Sequence, residues 1–154
     1  PWDRTPAFLS ENDDYYDRDK WLSTPFYSSG DVPEKYKTVC DGIDGLLARH
    51  GYVHDGKIFR VERENTDTVV LFCHFGVECV LLSHIIKISP VVLWHNFVAL
   101  PTSVTTMITE EREQGKALFR CNAFGDISHL YAGGEPASFQ ARFCETYSNF
   151  DERH

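Results

Sequence analysis

The sequence predicts an α/β fold with a mostly parallel central sheet flanked by helices, and three observations lead to this expectation. Apolar residues recur at three- and four-residue steps over residues 33–50, which is typical of an amphipathic helix. The continuous apolar run 68–73 is typical of a strand buried on both faces, as in a parallel sheet covered by helices. A nearly all-apolar helix is predicted next, over 77–87, and the order helix–strand–helix favours the α/β class.

The N-terminal segment 1–32 predicts a long loop with a short helix, held down by its aromatic side chains. Aromatic residues alternate there with Asp, Ser and Pro without a clear period. Long loops inside compact domains are often functional, for example as substrate lids. An ordinary surface wrap explains the same pattern, so both interpretations stay open at this point.

Turn and cap residues mark the elements that surround the apolar run. Pro33 suits the first turn of the helix over 33–50, and Gly51 suits the position just past its end. Asp55-Gly56 lies between two short apolar stretches and predicts a β-hairpin. Ser89-Pro90 predicts the start of a further helix, which runs to about residue 97.

The C-terminal third predicts two strands and a short helix. Residues 102–108 are rich in β-branched side chains, which favours a strand. The polar stretch 109–115 predicts a turn, and 117–124 a returning strand. Pro136 is expected to open a last helix that carries Phe139 and Phe143.

Composition narrows the class of protein. The chain of 154 residues is 42% hydrophobic and 25% charged, which suits one globular domain and argues against disorder. The net charge of −8 disfavours a general nucleic-acid binder, although local cations could hold a small anion. No apolar run approaches the roughly 18 residues of a membrane span. The chain does not begin with Met, so we expect its start to be missing.

The five cysteines do not predict a disulfide framework or a zinc ribbon. Their number is odd, their spacing is wide, and no Cys-x-x-Cys pair occurs. Reduced thiols in a cytoplasmic protein fit this usage better. Cys73 lies beside a candidate site residue, but a cysteine in a buried strand is usually inert packing rather than a nucleophile.

The junction 69–76 is the most informative candidate site. An apolar strand is expected to end at His74, and Gly76 then leads into a helix. Ligands of open α/β sheets bind at the carboxyl ends of strands, and a helix start offers free N–H groups to an anion. A histidine there can donate a hydrogen bond to a phosphoryl oxygen. The alternative, a strand-end histidine with a purely structural role, is about equally supported.

These residues resemble a known family. The segment TVVLFCHFGVECVLL, residues 68–82, resembles the second active-site strand and helix of the histidine phosphatase superfamily, which includes the cofactor-dependent phosphoglycerate mutases. Residues 100–105 and 122–130 resemble its next strand and its closing strand and loop. The resemblance covers most of 33–132 and implies a phosphoglycerate mutase-like three-layer sandwich. Residues 1–154 would then form a single domain, the C-terminal portion of a histidine phosphatase-like domain. Phe75 departs from the family pattern, because it separates His74 from Gly76.

The resemblance also implies a function, the hydrolysis or transfer of a phosphate monoester through a phosphohistidine. His74 matches the second active-site histidine, which stabilises the transferred phosphoryl group. The implied substrate-binding residues are Phe75, Gly76, Thr102, Ser103 and His129. The family's nucleophile motif and general acid precede Pro1 in its pattern, so a missing N-terminal segment of the same domain is the expected partner.

The implied partners are a phosphorylated small molecule or phosphate, with no cofactor, nucleic acid or membrane, and a homo-oligomer stays possible. The alternative function is a non-catalytic phosphate- or ligand-binding module on the same scaffold. Phosphatase and mutase activity cannot be separated without the N-terminal segment.

Two further motifs are interpreted as structural. Arg49-His50-Gly51 has the letters of the nucleophile motif, but it follows an amphipathic helix and predicts a helix end. His74, Glu78 and His84 invite a metal site, but His84 would lie well round the helix from His74, so no metal is predicted. The remaining histidines expected at the surface are His54, His95 and His154.

Overall fold

The computed structural model describes residues 3–151, which divide into two compact units. The first unit holds residues 3–97 and 109–119, and the second holds 98–108 and 120–151. Helices are formed by Pro6–Leu9 (α1), Val32–Arg49 (α2), Phe75–Ile86 (α3), Pro90–Asn96 (α4) and Ser128–Gly133 (α5). Strands are formed by Tyr52–Asp55 (β1), Ile58–Val61 (β2), Val104–Glu113 (β3) and Lys116–Asp126 (β4).

The expected parallel three-layer sheet is wrong. The fold is mixed α/β with a single four-stranded, all-antiparallel sheet in the order β1-β2-β4-β3. Tight turns join β1 to β2 and β3 to β4, and Gly56 and Gly115 adopt positive φ there. A chain that reverses in so few residues can pair only antiparallel, because a parallel pair needs a long crossover.

The apolar run 68–73 is not a strand. Residues 64–74 have no regular secondary structure, and Val70 and Phe72 are 68% and 97% exposed. The run was expected in a sheet because it is apolar and β-branched. Such a run has no period, however, and carries no information about which segment pairs with it.

Most elements that rest on local signals are confirmed with small shifts of their bounds. These are α2, the hairpin of β1 and β2, α3 and α4. The hairpin of β3 and β4 also forms, but the turn expected over 109–115 is wrong in most of its length, because β3 continues to Glu113. The helix expected from Pro136 is wrong, because residues 135–151 form no helix and the last helix, α5, lies earlier. Among residues 3–151, no helix is long and apolar enough to cross a membrane.

The aromatic N-terminal segment is a long loop with short helical turns, as expected, and it forms part of the core of the first unit. Tyr15, Trp21 and Tyr27 are at most 5% exposed. Ser89 joins this segment to α4, because its hydroxyl donates to the Tyr15 carbonyl at 2.7 Å and accepts from the Val91 amide. The same serine therefore caps α4 and fixes the segment against it.

We expect the thiols to differ in reactivity according to burial, since none of the five cysteines forms a disulfide. Cys79 is 0% exposed, and burial raises its pKa to about 12. Burial also raises the pKa of Cys40 to about 11. Because the thiolate is the nucleophile, both buried thiols should react slowly at pH 8.

Iodoacetamide labelling followed by mass spectrometry measures this difference, with the exposed Cys121 as the internal control. At pH 8 in native buffer, Cys121 should be alkylated while Cys79 and Cys40 stay unlabelled. In urea all should react. If Cys79 were labelled in the native protein as fast as Cys121, this would contradict the burial of Cys79.

Candidate functional site

His74 stands immediately before α3, at the N-cap position. Its backbone is extended, with φ −109° and ψ 154°, and its carbonyl accepts from the amides of Val77 and Glu78 at 3.0 and 2.9 Å. Its side chain makes no capping hydrogen bond, and the residue is exposed. The imidazole is therefore accessible at the positive end of a 12-residue helix.

The start of α3 is fixed by α4. The indole N–H of Trp94, a buried residue of α4, donates to the Gly76 carbonyl at 3.0 Å. Pro90 occupies the first turn of α4, where its missing N–H costs nothing. The first turn of α3 is thus held at Gly76 by a neighbouring helix.

The other sequence-predicted site residues belong to the second unit. Thr102 and Ser103 lie in the turn before β3, where Thr102 has φ 67° and the Ser103 amide donates to the Leu100 carbonyl. His129 is exposed on α5. Hydrogen bonds from the Ser128 amide and hydroxyl, and more weakly the charge of His129, hold the pKa of Asp126 below its usual value.

Arg49-His50-Gly51 is a helix end, as predicted. Arg49 is the last residue of α2, and the amides of His50 and Gly51 donate to the carbonyls of Leu47 and Ala48, both at 3.0 Å. The His50 ring contacts Asp67 through Nδ1 at 2.7 Å. This histidine fastens the loop after β2 to the end of α2 and has no strand in front of it.

A cluster that the sequence interpretation missed lies in the first unit. Asp44, His54 and His84, hereafter the Asp-His-His cluster, bring three potential metal-ligand atoms within hydrogen-bond distance of one another. His84 Nε2 lies 2.9 Å from Asp44 Oδ1, and His54 Nδ1 lies 3.0 Å from the same oxygen. The two ring nitrogens are 3.2 Å apart.

Three separate elements supply the cluster. Asp44 follows Cys40 by four residues and precedes Leu47 by three, so it lies on the apolar face of α2 and is only one-third exposed. His54 on β1 is the direct cross-strand partner of Phe59, and the two rings stack with centroids 4.9 Å apart. His84 lies in the last turn of α3.

Lys87 borders the cluster. It ends α3 in the left-handed conformation, with φ 67°, and its ammonium contacts His54 Nε2. Its Nζ also lies 4.7 Å from the centre of the Phe59 ring. Burial, and to a smaller extent the charge of Arg18, lowers the pKa of Lys87 to about 8 against the opposing effect of Asp44.

Three expectations about histidines and thiols need correction. His54 is not at the surface, since its side chain is 15% exposed. His95 is also partly buried: its Nδ1 donates to the Val91 carbonyl at 2.8 Å. Cys73 is exposed rather than packed in a strand. His154 lies outside the described residues.

His74, Glu78 and His84, the three residues considered above as metal ligands, do not form a metal site. His84 lies ten residues beyond His74 along α3, which is about 15 Å at the rise of an α-helix. Instead, His84 faces residues from α2 and β1. The one signal in the sequence was a charged or polar residue on an apolar helix face, at Asp44 and again at His84. The sequence around each residue does not indicate that these faces of α2 and α3 contact each other.

Comparison of the chain with known proteins finds no matching family model, no matching curated protein and no matching solved structure. The resemblance to histidine phosphatases therefore stays a prediction that rests on the residues of the chain itself.

Proposed function

We propose that the chain takes part in the hydrolysis or transfer of a phosphate monoester, by holding phosphoryl oxygens at the start of α3. The observation that carries the proposal is the position of His74, an exposed imidazole without a capping bond at the N-terminus of this helix. Main-chain N–H groups of a first helical turn bind anions, and a histidine adds a donor that can carry charge near neutral pH. The resemblance assigns phosphoryl binding to the same residue.

The chemistry required of His74 is electrostatic. Negative charge spreads over the equatorial oxygens when a phosphoryl group is transferred, and positioned donors stabilise it. His74 would donate one hydrogen bond to these oxygens, and the first turn of α3 would contribute its dipole. Support for this role is local and comes from the helix and its N-terminal histidine, not from the sheet.

The proposal assigns no nucleophile within residues 1–154. His50, which lies in the Arg-His-Gly triplet that matches the nucleophile motif, is the C-cap of α2 and is hydrogen-bonded to Asp67. The exposed apolar segment 69–72 ends one residue before His74, separated from it by Cys73, and pairs with no strand in the described part of the chain. We propose that a polypeptide segment carrying the nucleophile pairs with this segment, which would place the nucleophile beside His74.

The alternative is a phosphate-binding module without catalysis. The observation that favours it is the role of His50, the histidine of the Arg-His-Gly triplet, which ends α2 and contacts Asp67. The two functions share the anion site and differ only in turnover. Hydrolysis of a chromogenic phosphate monoester by the protein with its proposed partner segment supports the enzyme, whereas phosphate binding without turnover supports the module.

Substitution of His74 tests the shared anion site. We expect His74→Ala to weaken phosphate binding by about fivefold to tenfold, because it removes one charge-assisted hydrogen bond. Isothermal titration calorimetry with inorganic phosphate measures the change. Lys57→Gln is the matched control, since Lys57 is an exposed cation in the β1–β2 turn. Equal phosphate affinity in the His74→Ala and wild-type proteins would reject the site.

A further inference from the structure

The contacts of the Asp-His-His cluster fit two arrangements, a set of hydrogen bonds and a triangle of metal ligands. In the first arrangement His54 Nδ1 donates to Asp44 Oδ1 at 3.0 Å, and His84 Nε2 donates to Oδ1 or Oδ2, which lie 2.9 and 3.0 Å away. The 3.2 Å approach of the two ring nitrogens is then not a bond. If instead all three atoms direct lone pairs at one point, all three distances are edges of a single coordination shell.

The three edges fit a small divalent cation. At metal–ligand distances of about 2.0–2.1 Å, neighbouring ligand atoms are roughly 3.3–3.4 Å apart in a tetrahedral shell and roughly 2.8–3.0 Å apart in an octahedral one. The observed edges of 2.9 and 3.0 Å match the octahedral spacing, and the edge of 3.2 Å lies between the two. An ion would therefore fit just outside the triangle with shifts of a few tenths of an ångström.

The donor set selects the kind of metal. Two imidazole nitrogens and one carboxylate suit zinc, whereas magnesium and calcium prefer oxygen ligands alone. His54 directs Nδ1 at the other two ligand atoms, at 3.0 Å from Asp44 Oδ1 and 3.2 Å from His84 Nε2. Phe59 stacks against the same imidazole and restricts the orientation of its ring.

We propose that Asp44, His54 and His84 form a Zn²⁺ site that joins α2, β1 and α3. The histidine side chains are 15% and 14% exposed and that of Asp44 is 33% exposed, so a water can complete the shell from solvent. The site is separate from His74 and does not depend on the proposed phosphate function. A bound ion would stabilise the first unit, because it links three elements that are distant in sequence.

Titration of the chelator-treated chain, made without a polyhistidine tag, tests the site with ZnCl2 as the probe. We expect one Zn²⁺ per chain and a rise in Tm on addition of Zn²⁺ but not of Mg²⁺. Asp44→Asn, which keeps the shape of the side chain, and His84→Gln should each weaken Zn²⁺ binding by at least about tenfold. His129→Gln, an exposed histidine of the second unit, should leave it unchanged.

A measurement on the wild-type chain keeps the test independent of how the variants fold. In ¹H–¹⁵N spectra of the side chains, stoichiometric Zn²⁺ should shift the imidazole resonances of His54 and His84 and leave those of His129 in place. Absence of stoichiometric binding overturns the proposal. Zn²⁺ binding that leaves the His54 and His84 resonances in place also overturns it. The same holds if the folded Asp44→Asn and His84→Gln variants bind Zn²⁺ as tightly as the wild-type chain.

Discussion

Replacement of Trp21 by alanine is expected to lower the free energy of unfolding by about 3–5 kcal/mol. Trp21 is 1% exposed and packs edge-on against three aromatic rings, those of Tyr27, Tyr36 and Trp94, with centroids 4.9 to 5.8 Å away. Alanine removes the buried area and these ring contacts, and it leaves a cavity. Because small domains are stable by only about 5–15 kcal/mol, the variant should be close to unfolding.

Urea unfolding followed by far-ultraviolet circular dichroism measures this loss, since tryptophan fluorescence changes with the substitution itself. Trp21→Phe should lose less stability, because it keeps an aromatic ring. Tyr16→Ala is the control in the same segment: Tyr16 is 43% exposed, so its loss should cost less than about 1 kcal/mol. Equal losses in Trp21→Ala and Tyr16→Ala would mean that the aromatic segment is not part of the core.

The second large effect is expected from Gly51→Ala, with a loss of about 3 kcal/mol. Gly51 has φ +88°, which side chains rarely adopt, and an added Cβ would lie 2.4 Å from the Arg63 carbonyl oxygen. Its own carbonyl accepts from the Glu62 amide at 2.8 Å, so the backbone cannot shift without breaking this bond. The substitution should therefore loosen the end of α2 and the loop after β2 together.

Gly56→Ala separates the two causes. Gly56 has φ +60°, but nothing lies within 4 Å of an added Cβ. Alanine there should cost about 1 kcal/mol from the backbone conformation alone. Thermal and urea unfolding of both variants give the difference between their losses of unfolding free energy. This difference is the steric contribution at Gly51. If Gly51→Ala is no more destabilising than Gly56→Ala, the close approach to Arg63 does not limit this position.

Elements with local signals could be predicted from the sequence. Apolar spacing identified α2, and Gly51 marked its end, because the left-handed conformation beyond a helix favours glycine. Ser89-Pro90 identified the start of α4, and the Ser89 hydroxyl does accept from the Val91 amide. In each case the stabilising contact lies within a few residues of the signal.

Strand pairing could not be predicted in this way. The run 68–73 has strand-like composition, but pairing is a property of two segments. The composition of one segment does not indicate its partner. The observed sheet takes its strands from the two hairpins instead, which carry their own turn signals at Gly56 and Gly115.

The two candidate sites differ in the same way, since one rests on a local signal and the other on contacts between distant segments. His74 was recognisable because its position before a helix is a local feature, and the structure does place it at an N-cap. The Asp-His-His cluster joins residues 10 and 30 positions apart, from a helix, a strand and a second helix. Its formation depends on the packing of α2 and α3 beside β1, which periodicity shows only as two apolar faces.

Phosphate binding at the start of α3 is tested by an NMR titration of the chain with inorganic phosphate, monitored at the His74 imidazole. We expect a saturable shift of the His74 side-chain resonances together with those of the backbone amides of Phe75 and Gly76, at the start of α3. A titration in which these three signals stay in place, or in which phosphate shifts only signals elsewhere, would contradict it.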